Sequence, residues 1–528
     1  MDNPDNGSLA LICFRRIVKQ DLIIAVDVGT SSLKVGLIGP DLDVLQSADH
    51  AYPVSYPGPG RAEQDPLDWW LALRLALVRL SKTCPNLRER AAGIVFASQM
   101  CGVVAVDREG APIRPCMIWL DKRAAGIARE VMGGFPTLYG YGLLKLLSSI
   151  RLTNGAPSLN GMDPPAKMLW LKRHEPEVYA QAWKLLDVKD WLILRATGHA
   201  ATTADLANVT WMMDTRKGHE GWSDALVSRF GLRRELLPDI VDGTASPGGL
   251  TDAAASELGL PAGLPVFAGA GDVCAAALGS GAVEDGELHI SLGTSSWISG
   301  FYPGRRLSAS EGYATILSPF GNRPLLIATQ ESAGACLDWL DRLAGTEPDE
   351  APAGVAPPLF LPWLAGERVP VDDNRLRGAF LGLSLQHGRA SLRQAVIEGV
   401  ALNTRWAWQS VARQKGTRHA HLLRAVGGGA LNPVLCQALA DCLGADLAVS
   451  RDPRNAGVRG AAAIAAAGLG WRASVWEAAK SFDRTSETVY RPDRRRQAYF
   501  DGRFRLFIDA YKRNAPWFRA AFERNADD

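Results

Sequence analysis

The feature that most constrains this chain is a turn that it contains twice. Leu22-Ile23-Ile24-Ala25-Val26 is an apolar run of strand length leading into Asp27-Val28-Gly29-Thr30-Ser31-Ser32, and Leu33-Lys34-Val35-Gly36-Leu37-Ile38 alternates on the way out. That pattern predicts two strands joined by a glycine turn. At a distance of 264 positions (Gly29 to Gly293), Leu288-His289-Ile290-Ser291-Leu292 leads into Gly293-Thr294-Ser295-Ser296 and then Trp297-Ile298-Ser299-Gly300. Each half of the chain therefore opens on strand, GTSS turn and strand. Glycine lets a backbone approach closely, successive N–H groups form a concavity for anions, and hydroxyls add donors. Two such turns facing one another can hold a polyphosphate from both sides. The copies differ where Asp27 of the first becomes Ser291 of the second. A carboxylate at one turn only suggests a single Mg²⁺ held through water, and one active site. Two ordinary hairpins are the other reading of the same residues.

With 528 residues the chain is too long for one core of usual size and should form two large domains or more. A formal net charge of +2 argues against nucleic acid as a partner, and Arg494-Arg495-Arg496 reads as a solvated surface run. The eight cysteines contain no CxxC pair, which fits free thiols in a reducing cytosol better than disulfides or zinc. No run has the length of a membrane span, and Leu9 to Phe14 is too short for a secretory core. The expectation is a cytoplasmic protein with a loosely ordered extension over residues 1–20.

Along the chain, Pro66 follows Asp65 as first residue of a helix carrying Trp69, Trp70, Leu73, Leu77 and Leu80 at helical spacing. The strand Gly93 to Ala97 ends in Ser98-Gln99-Met100-Cys101-Gly102, and polar residues at strand ends are where α/β folds place ligands. Trp119, Asp121 and Arg123 supply an aromatic face, an acceptor and a guanidinium within five positions. They could bind a polyhydroxy compound, or merely end a strand and cap a helix. Residues 133–165 read as irregular, and Lys167 to Trp191 as helical. Leu264 to Asp272 is a strand running into glycines and an acid, with Val273 beginning a small-residue helix, so Asp272 can face a cleft or act as a cap. Phe360 to Pro370 reads as a surface loop. Leu422 to Val426, Gly427-Gly428-Gly429 and the helix from Asn432 make a strand, triple glycine and helix start against which a nucleotide can lie.

DVGTSSLK, EQDP, AGAGD, SLGTSS, FLPWLAGERVP and GGGALNPVLCQALAD, in that order from Leu22 to about Lys480, resemble the FGGY family of carbohydrate kinases, nearest its xylulokinase-like branch. The resemblance implies an α/β fold of two ribonuclease H-like domains, of the actin and hexokinase type, around a central cleft. The sugar-binding domain would span residues 21–270 and the nucleotide-binding domain 271–480, with a mostly helical tail over 481–528. It implies ATP and Mg²⁺ as cofactors, with Asp272 as the general base. Asp27, Gly29, Thr30, Ser31, Gly293, Thr294, Ser295, Gly428, Gly429 and Asn432 would hold nucleotide and phosphates. Asp27 and Asp272 would lie at the metal, and Gln99, Met100, Cys101, Trp119, Asp121, Arg123, Asp272 and Val273 at the sugar. Cys101 and Val273 stand where that branch usually carries a histidine and an asparagine, which makes D-xylulose an unexpected best acceptor. The expected partners are ATP and a sugar or polyol, with neither nucleic acid nor membrane, and a homodimer is left open. An ATPase like actin or the heat-shock chaperones is the rival reading. It would have no use for a sugar-binding set beside the cleft. A P-loop kinase is excluded because GxxxxGK[ST] is absent.

Overall fold

The first repeat folds as β1 (Leu22–Val28) and β2 (Ser32–Ile38), paired antiparallel with Val28 opposite Leu33. These coordinates are a computed structural model, which describes residues 20–524 apart from 309, 346–353, 419–420, 483 and 485. The N-terminal extension thus lies, but for residue 20, outside the described residues, as does Cys13. β3 (Val44–Ala51) continues the meander, and the helix α1 (Pro66–Thr83) starts where the Asp65 carboxylate accepts from Leu67 N. β4 (Ala91–Ser98) then returns parallel to β1.

Between β4 and the next strand of this sheet come the helices α2 (Pro164–His174) and α3 (Val188–Thr197). Here the structure departs from the helix expected over 167–191. Pro176 interrupts it, and Lys184–Leu186 is a strand paired with Val104–Val106 before α3 begins at Asp187. Periodicity alone cannot tell a short apolar strand from a helix segment. The stretch expected to be irregular also contains a helix, Leu143–Thr153. β5 (Gly248–Gly249) and β6 (Pro265–Gly271) complete a six-stranded sheet in the order β5-β6-β4-β1-β2-β3. β1 is an almost unbroken apolar run because both faces of this sheet are covered. Trp69, Leu73 and Leu77 of α1 pack on one of them.

The helix α4 (Asp272–Ser280) leads to the second repeat, β7 (Leu288–Leu292) and β8 (Ser296–Phe301), again antiparallel. With β9 (Leu307–Ser308), β10 (Tyr313–Leu317), β11 (Pro324–Gln330), β12 (Leu422–Val426), β13 (Asp446–Val449) and β14 (Thr488–Tyr490) they form an eight-stranded sheet. Its order is β9-β10-β11-β8-β7-β12-β13-β14. As β1 has β4, β7 has a parallel neighbour in β12. The segment expected as a surface loop instead runs through the interior, with Phe360, Trp363 and Val369 buried. A terminal helix, Arg494–Arg524, sinks Phe500 and Phe507 into the second core.

The two sheets exchange a helix. α4 follows a strand of the first sheet, yet Ala276 packs against Val426 of β12 and Trp297 of β8. The helix α5 (Ala456–Gly468) follows β13 of the second sheet, yet its Val458, Ala461, Ala462 and Ile464 share a core with Ile23, Ala25, Val95 and Ala97 of the first. The two helices touch through bare backbone: a Cβ at Gly279 would lie 1.8 Å from Ala456 O, and one at Gly460 1.8 Å from Ala275 O. No described helix is long and apolar enough to cross a membrane, and the seven described cysteines are free and buried.

Candidate active site

Between the lobes lies a cleft of about 1150 Å³ with both GTSS turns on its wall. Asp27, at the end of β1, and Asp272, first residue of α4, sit half-buried on its floor. Burial, and next the Asp27 carboxylate, push Asp272 up to about 8 against the pull of the Val273 N–H that bonds it. Burial likewise raises Asp27 in spite of nearby Lys34. A carboxylate raised by burial and by a second acid at its side is short of positive charge, which is what a divalent cation would supply. Among the described residues no group of three His, Cys, Asp or Glu forms a closed metal cage. The donor set thus fits Mg²⁺, which keeps waters and takes one or two carboxylates plus phosphate oxygens. Gly457, at the start of α5, is fixed by the same floor, since a Cβ there would lie 2.1 Å from Asp27 Oδ2.

Each turn leaves donors free. Gly29 N bonds Ser32 O and Gly293 N bonds Ser295 O, closing the two turns. Among the described residues nothing accepts from the N–H groups of Thr30, Ser31, Thr294 or Ser295. The Thr30 hydroxyl is not free, for it accepts from Trp119 Nε1 at 2.9 Å and donates to Gln99 Oε1 at 3.2 Å. Gln64, in the EQDP motif, donates to Thr30 O at 2.7 Å and accepts from Gln99 Nε2 at 2.8 Å.

Gln99, Met100, Cys101, Trp119 and Val273 line the same cleft next to Asp272. Cys101 has a left-handed backbone, φ 66, and is held from both ends. Its N–H and that of Gly102 donate to Asp187 at 2.9 and 2.8 Å, and its carbonyl accepts from Lys167 Nζ at 2.9 Å. The same ammonium reaches Ile118 O at 2.6 Å, next to Trp119. Behind Asp272, the Asp205 carboxylate accepts from Gly271 N at 2.7 Å and sets the corner on which the acid stands. Asp187, Lys167 and Asp205 are buried and were missed by sequence reasoning. For Asp187 the signal was a short apolar strand, Asp and helix, the same corner that marked Asp272.

Five expected residues are not brought into the cleft. Asp121 is fully buried, accepting from Ala62 N and paired with Arg123, which also bonds Glu63 at 2.6 Å. This ion-paired cluster satisfies its own charges and leaves none for a sugar, so of the three residues Trp119, Asp121 and Arg123 only Trp119 reaches the site. Gly428, Gly429 and Asn432 are also absent from the cleft wall, which reaches Gly427 and Arg454 instead. Asn432 spends its side chain on Val434 N and Leu435 N as the helix cap.

Two hairpin-fronted α/β lobes, closing on free amides and paired acids, have the architecture of a two-lobed kinase. Residues 22–279 match the N-terminal domain of the FGGY family of carbohydrate kinases and residues 288–469 its C-terminal domain; the chain belongs to this family and is a carbohydrate kinase. It is 31% identical over 513 residues to the xylulose kinase of Escherichia coli, covering 94% of this chain and 99% of that protein. The crystal structure of xylulose kinase from Rhodospirillum rubrum superposes with a TM-score of 0.78 at 26% identity, covering 94% and 100% of the two chains. That of gluconate kinase from Lactobacillus acidophilus gives 0.81 at 24%, covering 94% and 98%.

Proposed function

We propose that the protein transfers the γ-phosphoryl group of ATP to one hydroxyl of a sugar or polyol, with Asp272 as the general base. The observation that carries the reading is the position of Asp272, on the cleft floor between two turns that offer unbonded N–H groups, with Cys101, Trp119 and Val273 beside it. Phosphoryl transfer asks a protein chiefly to position the reactants and to spread donors over the phosphate oxygens. The amides of Thr30 and Ser31 meet the phosphates from one side and those of Thr294 and Ser295 from the other. Asp272 accepts the proton of the acceptor hydroxyl as that oxygen bonds phosphorus and ADP leaves. Mg²⁺, held by Asp27 and Asp272 through water, would neutralise phosphate charge and, by its own charge, bring Asp272 down into its ionised form. Closure of the lobes keeps water from replacing the sugar as acceptor.

The relatives named xylulose kinase support a ketose such as xylulose, or a related pentose or polyol, as the acceptor class. D-xylulose itself fits less well, because burial holds Cys101 as an uncharged thiol and Val273 offers no side-chain hydrogen bond. A panel of ketoses, aldoses and polyols assayed by ADP release tests the function, since an ATPase without a sugar acceptor would show no stimulation by any of them. Asp272→Asn should lower turnover about 10²–10⁴-fold while calorimetry shows ATP binding unchanged. Wild-type turnover in that variant overturns the assignment.

A further inference from the structure

Asp163 precedes α2 at the position where an aspartate normally caps a helix by accepting from the first free N–H groups. Here the next two residues are Pro164 and Pro165, neither of which has an N–H, and the carboxylate makes no capping bond. It accepts instead from Ser158 N at 2.5 Å and lies on the wall of the cleft, 7% exposed. Trp211, on the same wall, takes a left-handed backbone, φ 56, which bulky residues seldom adopt. Its ring lies on bare backbone at Gly155, where a Cβ would come within 2.6 Å of Cζ3. The indole N–H is buried and is turned towards Asp163 without reaching hydrogen-bond geometry. A buried donor held off its partner is costly unless something completes it.

We propose that Asp163 and Trp211 grip the end of the acceptor away from the transferred phosphoryl group and select a neutral polyhydroxylated compound over a sugar acid. Asp272, Cys101 and Asp163 line the same cleft. The acceptor runs from Asp272 past Cys101 to Asp163. There the carboxylate accepts from a substrate hydroxyl, and the indole N–H donates to a substrate oxygen. A substrate carboxylate would instead meet Asp163, with Asp372 and Glu331 on the same wall. Of the cations that bear on Asp163, Lys167 is spent on the Cys101 and Ile118 carbonyls, and Arg368 is already paired with Glu331 at 3.0 Å and laid over the Trp119 ring.

This inference rests on the kinase reading, and the test separates the two. Neutral ketoses, aldoses and polyols are compared with D-gluconate and the pentonates as acceptors for wild type, Asp163→Asn and Trp211→Phe. The wild type should prefer a neutral compound. Asp163→Asn should raise the KM of that compound about ten- to a hundred-fold, with kcat and the KM of ATP nearly unchanged, and should narrow the preference over the matching acid. Trp211→Phe should raise the same KM about three- to ten-fold. An acid as best wild-type acceptor, an unchanged KM in Asp163→Asn, or an equal loss of ATP and acceptor binding overturns the proposal. Were no compound to stimulate ADP release, the kinase reading itself would fall. Calorimetric titration of the panel into wild type and Asp163→Asn would then still decide whether this pocket binds neutral polyols through Asp163.

Discussion

The two GTSS turns share a sequence and a strand frame, yet they are held by different means. At the first, side chains do most of the holding: Tyr52 Oη on Gly29 O, Gln64 on Thr30 O, and Gln99 and Trp119 on the Thr30 hydroxyl, beside one main-chain bond from Tyr52 N to Ser31 O. At the second, main chain does most of it, with Ala333 N and Ala335 N on Thr294 O and Gly334 N on Gly293 O, beside the Ser296 hydroxyl on Gln330. Gln99 and Trp119, which hold the first turn, also line the cleft beside Asp272, so in the proposed mechanism that turn bears on the sugar as well as on the phosphates. The second is fastened chiefly to the segment 333–335. The two copies share the backbone that leaves N–H groups free, and only one carries the acid.

Asp27→Asn against Ser291→Ala tests that asymmetry most severely. The first change should lower kcat about 10²–10³-fold, as the loss of a positioned charge stabiliser does, and the second should leave it within about threefold. Equal losses in steady-state ADP release would make the turns equivalent. Gly334→Ala comes next, because its Cβ would lie 2.6 Å from Gly293 O. Such overpacking costs about 1–3 kcal/mol; the KM for ATP should rise about tenfold while that of the acceptor stays put, and parallel rises would show the second turn coupled to both substrates. Trp119→Phe removes one bond from the first turn and should raise both KM values about three- to ten-fold. A change confined to ATP would cut the link drawn here between that turn and the sugar pocket.

The smallest effect concerns pH. Each lobe buries a carboxylate that accepts from main-chain N–H groups near the cleft, Asp187 from Cys101 and Gly102 in the first and Glu367 from Glu331 and Arg368 in the second. Burial pushes each up to about 7, with the neighbouring Asp190 adding to the rise at Asp187. A carboxyl whose pKa is higher folded than unfolded stabilises the fold while protonated. That contribution is complete below the unfolded value near about 4, and it is lost as pH rises through about 7. Thermal melts of the ligand-free protein should therefore fall between about pH 5 and about pH 8, and Asp187→Asn or Glu367→Gln should each flatten the slope. An unchanged slope in both would remove these groups from the account.

Much of this was legible because the site stands where secondary structure changes. Asp27, Asp272 and both turns are set by local pattern, a strand ending in glycine and polar residues, and the structure places all of them on one cleft. Asp121 and Arg123 show what local pattern leaves out. Their types suit a sugar, but Glu63 and Ala62, some sixty residues away, claim them first. The triple glycine shows a smaller error of the same sort, for Gly427 turns towards the cleft while Gly428 is exposed. Lys167 and Asp187 fix Cys101 through contacts spanning 66 and 86 positions; the strand-to-helix corner marks Asp187 as a candidate, but no spacing within one element reveals its partner.

The exchange of α4 and α5 also bears on what counts as a unit of this protein. A fragment ending at Gly281 would keep all six strands of the first sheet but lack α5, so the core of Ile23, Ala25, Val95 and Ala97 would lose Val458 and Ala461 to Ala466. The complementary fragment would carry α5 with nothing beneath Ala461 and Ile464, and Val426 would lose Ala276. Neither piece closes its own apolar surface, so the boundary that sequence similarity draws between the halves is not one along which the chain can be divided and remain folded. The two lobes should be made, melted and inherited together.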